Sequence, residues 1–177
     1  MTDSVYSITD YNFLPDDELF LDTNIWLKIF CPQTANEPRV GVYSSAFRQI
    51  LETNCHIYID VLVVSEFINT YSRILWRHSQ SGLSFKAFRN SQQFVPIAQD
   101  IASNITRILK HCSRLDHKFD TLNIRDLFDE YSKGSVDFND QVIGRLCKSR
   151  NLKLITDDQD FTVDGVSILT ANNNLLR

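Results

Sequence analysis

Short apolar runs alternate with amphipathic stretches along this chain, and that alternation limits the fold more than any other feature. Leu19-Phe20-Leu21, residues 56–61, 152–156 and 166–169 are too short and too apolar for surface helices, and each reads as a buried strand. After the first, Ile25, Trp26, Ile29 and Phe30 recur at helical spacing until Cys31-Pro32 stops them, and a second amphipathic helix over 42–53 carries Phe47, Ile50 and Leu51. After the second strand, Val64, Phe67, Ile68, Tyr71, Ile74 and Leu75 lie on one stripe until Ser79-Gln80-Ser81-Gly82 breaks it. Residues 97–115 (Ile101, Ile105, Ile108, Leu109, Cys112) predict a helix, 118–123 a short strand, 124–133 a short helix closed by Gly134, and 137–150 a helix with Val142, Ile143, Leu146 and Cys147 inward. No two strands are joined by a two-residue Asn-Gly or Asp-Gly turn. Strands apolar on both faces and separated by helices imply a parallel α/β sheet with helices on both faces.

The chain has 177 residues, enough for one domain with its own core, and its 43% hydrophobic and 23% charged content is that of a globular protein. A single domain over 1–177 is expected, with 79–118 as a helical insertion. The acidic, mixed opening MTDSVYSITDYNFLPDDE is unlike a secretory signal, and the most apolar stretch, 57–68, is interrupted by Asp60 and Glu66. A cytoplasmic location with no membrane partner is therefore expected. Cys31, Cys55, Cys112 and Cys147 are widely spaced and sit in no zinc-ligand pattern, so reduced thiols are expected. Net charge is −4, which argues against a nucleic-acid partner until its distribution is considered. Residues 62–120 hold eight Lys and Arg against four Asp and Glu, so a basic middle stands beside acidic ends. That middle is either a phosphate-binding face or a solvated helical surface.

The acids fall at telling places. Asp22 ends the first strand, Asp158 follows the strand over 152–156, Glu66 lies early in the helix after the second strand, and Asp140 lies in the first turn of the helix over 137–150. In an open α/β sheet the carboxyl ends of strands line the ligand crevice, so these four can meet at one rim. Grouped carboxylates raise one another's pKa and are tolerated when a cation offsets them. Oxygen ligands select hard ions such as Mg²⁺ or Mn²⁺, and two such ions can activate water and stabilise the leaving oxygen of a phosphodiester. Each acid also has an ordinary reading. Asp22 is a good helix cap, although Thr23 and Asn24 are equally suitable. Glu66 lacks a Lys or Arg at i+3 or i+4, so a helical ion pair does not account for it, whereas a solvated side chain would. Asp140 suits the dipole of its helix, Asp137 reads as that helix's N-cap or a metal neighbour, and Asp157 and Asp160 read as turn residues.

Taken together these residues resemble the PIN-domain nucleases. Leu19-Phe20-Leu21-Asp22-Thr23-Asn24 is similar to the family's first motif, Ser65-Glu66 to the second, Asp137-Phe138-Asn139-Asp140 to the third, and Leu154-Ile155-Thr156-Asp157-Asp158 with Phe161 to the fourth. The resemblance implies a three-layer α/β/α fold around a parallel sheet of four or five strands. It implies a Mg²⁺- or Mn²⁺-dependent endoribonuclease cutting single-stranded RNA, with Asp22, Glu66, Asp140 and Asp158 as catalytic metal ligands and Asp137 beside them. Thr23, Asn24 and Thr156 would orient those acids. Many small bacterial members are toxins paired with an antitoxin and many dimerise, so an antitoxin protein and a homodimer are expected partners. Two departures stand out. Residues 79–118 look like an insertion, and position 157 is Asp where a neutral residue is common, a charge that would either tighten metal binding or face solvent.

Arg73, Arg77, Lys110, Arg114 and Arg145 are the RNA-contact candidates. An aspartyl-nucleophile phosphatase would need an Asp where Asn24 stands, and a receiver-like domain would need a Lys after Val166 that is absent. A catalytically inactive scaffold of the same fold, binding RNA or protein, is the remaining alternative.

Overall fold

The strand that leads into Asp22 lies in the interior of the sheet, which is why Leu19, Phe20 and Leu21 are apolar. The computed structural model describes residues 5–116, 118–134, 137–161 and 164–176. Among them, β1 (Val5–Ser7), β2 (Glu18–Leu21), β3 (His56–Ile59), β4 (Cys112–Arg114), β5 (Lys153–Ile155) and β6 (Ser167–Thr170) form one sheet in the order β1-β6-β5-β2-β3-β4. Every neighbouring pair is parallel. Leu19, Phe20 and Leu154 are fully enclosed, as strands covered on both faces require.

Seven helices connect the strands in the described residues: α1 (Thr23–Phe30), α2 (Val40–Thr53), α3 (Val61–Ser79), α4 (Phe85–Arg89), α5 (Phe94–Leu109), α6 (Ile124–Tyr131) and α7 (Phe138–Arg150). α1 packs on α2 and α3, and α3 on α4 and α5, whereas α6 packs on α7. The order progresses one way from β2 to β3 to β4 and returns from β4 to β5, and under the right-handed rule for parallel crossovers such a reversal puts the two helix groups on opposite faces. The core joins Phe20, Trp26, Tyr43, Phe67, Tyr71 and Phe161 with residues of α5, Ile101 and Ile108. No helix among the described residues is long and apolar enough to cross a membrane, and none of the four cysteines forms a disulfide.

The sheet has six strands where four or five were expected, and the additions are its two edges, β1 and β4. The predicted strand over 118–123 is instead a single 3-10 turn, Phe119–Thr121. The true edge strand lies inside the tail of the helix predicted over 97–115. α5 ends at Leu109 with Lys110 as its C-cap, and Cys112, Ser113 and Arg114 then pair with Ile57, Tyr58 and Ile59.

Candidate active site

Asp22 is the fixed point of the carboxylate rim. Its backbone leaves β2 and donates from its N–H to the Ile155 carbonyl of β5 at 3.0 Å. Of the three cap candidates Asp22, Thr23 and Asn24, Asp22 is the N-cap of α1, accepting from the Thr23 N–H at 2.6 Å. The sequence runs Asp-Thr-Asn, and the first of the three takes the extended backbone that capping needs. The second carboxylate oxygen accepts from Asn24 Nδ2 at 2.6 Å and from Thr156 Oγ1 at 2.7 Å. Thr156, the residue after β5, thus ties the two central strand ends together.

The other acids surround this anchor. Glu66 lies on α3 and accepts from Thr23 Oγ1 at 3.2 Å. Asp137 is the N-cap of α7, accepting from the Asn139 N–H at 2.8 Å, and Asp140 stands in the first turn of that helix. Asp158 reaches the rim two residues after Thr156, whose hydroxyl accepts from the Asp158 N–H at 3.1 Å. The Asp158 carboxylate accepts in turn from the Asp160 N–H at 2.9 Å. Asp137, Asp140, Asp158 and Asp160 line an open cleft of about 630 Å³ with Tyr131 on its wall.

The charges oppose one another. Burial, then Asp22, Asp137, Asp158 and Glu66, push the Asp140 carboxyl up to about 7. Asp22 rises to about 6, again by burial and then by Glu66 and Asp158, against the hydrogen bonds from Thr156 and Thr23 that favour its charged form. Glu66 is raised by burial, Asp137 and Asp158, and Thr23 partly offsets the rise. Five acids from four separate stretches of sequence therefore sense one another at one rim. Among the described residues, no group of three or more His, Cys, Asp or Glu side chains is arranged as a ready cage for a metal ion.

The profile of the PIN domain matches residues 19–164, from the strand that leads to Asp22 to beyond Asp158. The chain belongs to the PIN-domain family. PIN domains are generally nucleases. Among solved structures the chain is similar to VapBC2 from Rickettsia felis bound to a DNA fragment from their promoter, with TM-score 0.55 and 16% identity over 88% of this chain and 99% of that one. At that identity the likeness speaks for the fold. No curated protein matches the sequence.

Asp157 neither faces solvent nor stands as a plain turn residue. Arg39 grips it with two hydrogen bonds, Nε to Oδ1 at 2.7 Å and the guanidinium Nη2 to Oδ2 at 2.9 Å, and Lys28 Nζ lies 3.3 Å from Oδ2. Tyr43 donates its hydroxyl to Oδ1 at 2.8 Å, and Asn172 Nδ2 donates to the Asp157 carbonyl at 2.8 Å. Burial pushes the Asp157 carboxyl up, but Arg39, Tyr43 and Lys28 outweigh it and hold it below the ordinary carboxylate range. Asn24 Oδ1 accepts from the Asp157 N–H at 3.1 Å, so this ion-pair network also braces the side chain that orients Asp22. Lys28, a lone cation in the apolar run of α1, was the one signal in the sequence.

The basic candidates of this PIN domain divide. Arg145 is half-buried and ion-paired with Glu130 at 3.7 Å, so its charge is already engaged. Lys110 caps the end of α5 just before β4 begins, at the edge of the sheet opposite the carboxylates. Arg114 ends the edge strand β4. Arg73 and Arg77 lie on α3, the helix that carries Glu66.

Proposed function

We propose that this PIN domain hydrolyses phosphodiester bonds in single-stranded RNA with the help of Mg²⁺ or Mn²⁺ held by Asp22, Glu66, Asp140 and Asp158, with Asp137 alongside. The observation that carries the reading is the crowding of acids at a partly buried rim: an Asp140 carboxyl pushed up to about 7 by burial and then by four other acids is a group that a cation would stabilise in its charged form. The fit is one of chemistry rather than of preformed geometry. Every donor is a carboxylate oxygen, the set that hard divalent ions take. When bound, such an ion supplies Lewis acidity toward a phosphoryl oxygen and toward water.

The chain's own side chains do the orienting. Asn24, Thr156 and the Thr23 N–H fix both oxygens of Asp22, and Thr23 Oγ1 steadies Glu66. Asp137, by capping α7, sets the first turn from which Asp140 projects. The open cleft beside Asp140 and Asp158 leaves room for a polynucleotide strand.

Incubation of the protein with mixed single-stranded RNA and Mn²⁺ tests this directly. Cleavage is expected, and EDTA, Asp22→Asn or Asp158→Asn should each abolish it. Cleavage that persists in both variants would move the active site elsewhere. RNA binding with no cleavage by the wild type would favour an inactive scaffold of the same fold. A role as the toxin of a toxin–antitoxin pair belongs to this proposal, and the similarity of the fold to a VapBC2 complex supports it. Co-purification of an inhibitory partner encoded beside the gene would test that role.

A further inference from the structure

The acidic rim raises a difficulty for its own substrate. Asp137, Asp140, Asp158 and Asp160 line the cleft, and a polyanion approaching them is repelled unless another part of the protein holds it. We propose that an arginine- and aromatic-built patch on α3 and α4 grips the substrate backbone: Arg73, Arg77, Lys86 and Arg89, organised around Phe85. This inference rests on the RNA-cleaving reading above and adds where the strand runs.

Helix geometry connects the patch to the rim. Glu66, Thr70, Arg73 and Arg77 stand at i, i+4, i+7 and i+11 of α3, so they share one face. The helical rise sets Arg73 about 10 Å and Arg77 about 16 Å along the axis from Glu66, the reach of a few nucleotides. The chain then folds back on this helix. Trp76 Nε1 donates to the Leu83 carbonyl at 2.8 Å, and the Trp76 and Phe85 rings lie 5.6 Å apart. That closure places the Phe85 ring under the Arg73 guanidinium at 4.5 Å, with the Arg89 guanidinium 5.9 Å from the same ring. A guanidinium lying on a ring is held in orientation while its in-plane N–H groups stay available, the arrangement suited to a phosphate.

Lys28, Arg39, Arg145 and Lys153 each meet a carboxylate. Among the described residues, the side chains of Arg73, Arg77, Lys86 and Arg89 have neither a hydrogen bond nor a carboxylate partner, and all four are exposed. The only acid between residues 61 and 99 is Glu66. Two cations crowded on one ring in a protein of net charge −4 are unfavourable alone and become favourable against a polyanion.

The test uses the full chain carrying Asp22→Asn and a single-stranded RNA of about 20 nucleotides, with affinity measured across salt concentrations. Adding Arg73→Ala, Arg77→Ala and Arg89→Ala should weaken binding at least about tenfold at low salt and make the salt slope shallower by about 2, close to 0.7 per lost phosphate contact. Replacing the same three by Lys, which keeps the charge, should retain most of the slope and shows that the fold survives change at these positions. With Asp22 restored, the Ala variants should raise KM for the long RNA with kcat unchanged. An unchanged affinity and slope, or an equal loss from the control Arg150→Ala, would overturn the patch. Poly-glutamate binding as tightly as RNA would reassign it to an acidic protein. A wild type that binds but never cuts would end the nuclease reading while the salt slope still judges the patch.

Discussion

Asp22 shows how a single side chain can look ordinary and anchor the proposed site at once. It caps α1 and is also the most enclosed carboxylate of the rim, with both oxygens held by Thr23, Asn24 and Thr156. The capping role and the site role are compatible because a helix N-terminus favours negative charge. Asp157 is the contrasting case. Its partner Arg39 lies 118 positions away, so nothing local in the sequence announces the pair. Asp157→Asn would leave Lys28 and Arg39 facing a neutral group and should destabilise the protein by about 2 kcal/mol in denaturant unfolding. It should also lower activity, because the backbone of Asp157 braces Asn24. An Asp157→Asn variant as stable as the wild type would show that the network is not structural.

At the scale of elements, the central strands were legible and the edges were not. β2 and β5 each have a strand on both sides, and their enclosed residues, Leu19 to Leu21 and Leu154 with Ile155, had to be apolar. β1 and β4 pair on one side only, and Val5-Tyr6-Ser7 and Cys112-Ser113-Arg114 carry too little apolar pattern to mark a strand. Helix starts were readable where a capping acid stands at the boundary, as Asp137 does for α7. Asp60 does the same for α3, though sequence reasoning had run the strand through it. Its side chain accepts from the Leu62 N–H at 2.5 Å, and removing it as Asp60→Ala should cost about 1 kcal/mol in thermal or denaturant unfolding. Because α3 carries Glu66, that variant should lose activity beyond what its stability loss explains, and full activity in the folded variant would separate the cap from the site.

For the whole molecule, the raised carboxyls set a pH dependence whose sign changes with metal. Asp22 and Asp140 rise from 3.8 to about 6 and about 7, so the folded, metal-free protein holds protons that the unfolded chain releases. The stability they contribute is complete below pH 3.8 and is lost as pH climbs through about 6 and 7. In EDTA, unfolding free energy should therefore fall between roughly pH 4 and 8, and Asp140→Asn should flatten the fall and be the more stable protein at pH 8. Asp17 acts in the other direction at lower pH. Burial raises it, but Lys153, the Leu14 N–H and Tyr11 bring it below 3.8, so its contribution is lost only in acid. With Mn²⁺ present the order at pH 8 should reverse, because the wild type gains the binding free energy of the ion. A metal-free protein whose stability rises over that window would contradict the electrostatic picture.

Calorimetric titration of Mn²⁺ into chelator-stripped protein at pH 7 tests that picture most directly. The wild type should bind the ion and release protons, seen as a heat that depends on the ionisation enthalpy of the buffer, and Asp22→Asn and Asp140→Asn should each weaken binding at least about tenfold. Binding of equal strength in all three proteins, or none in the wild type, would mean that these carboxylates do not meet around a cation.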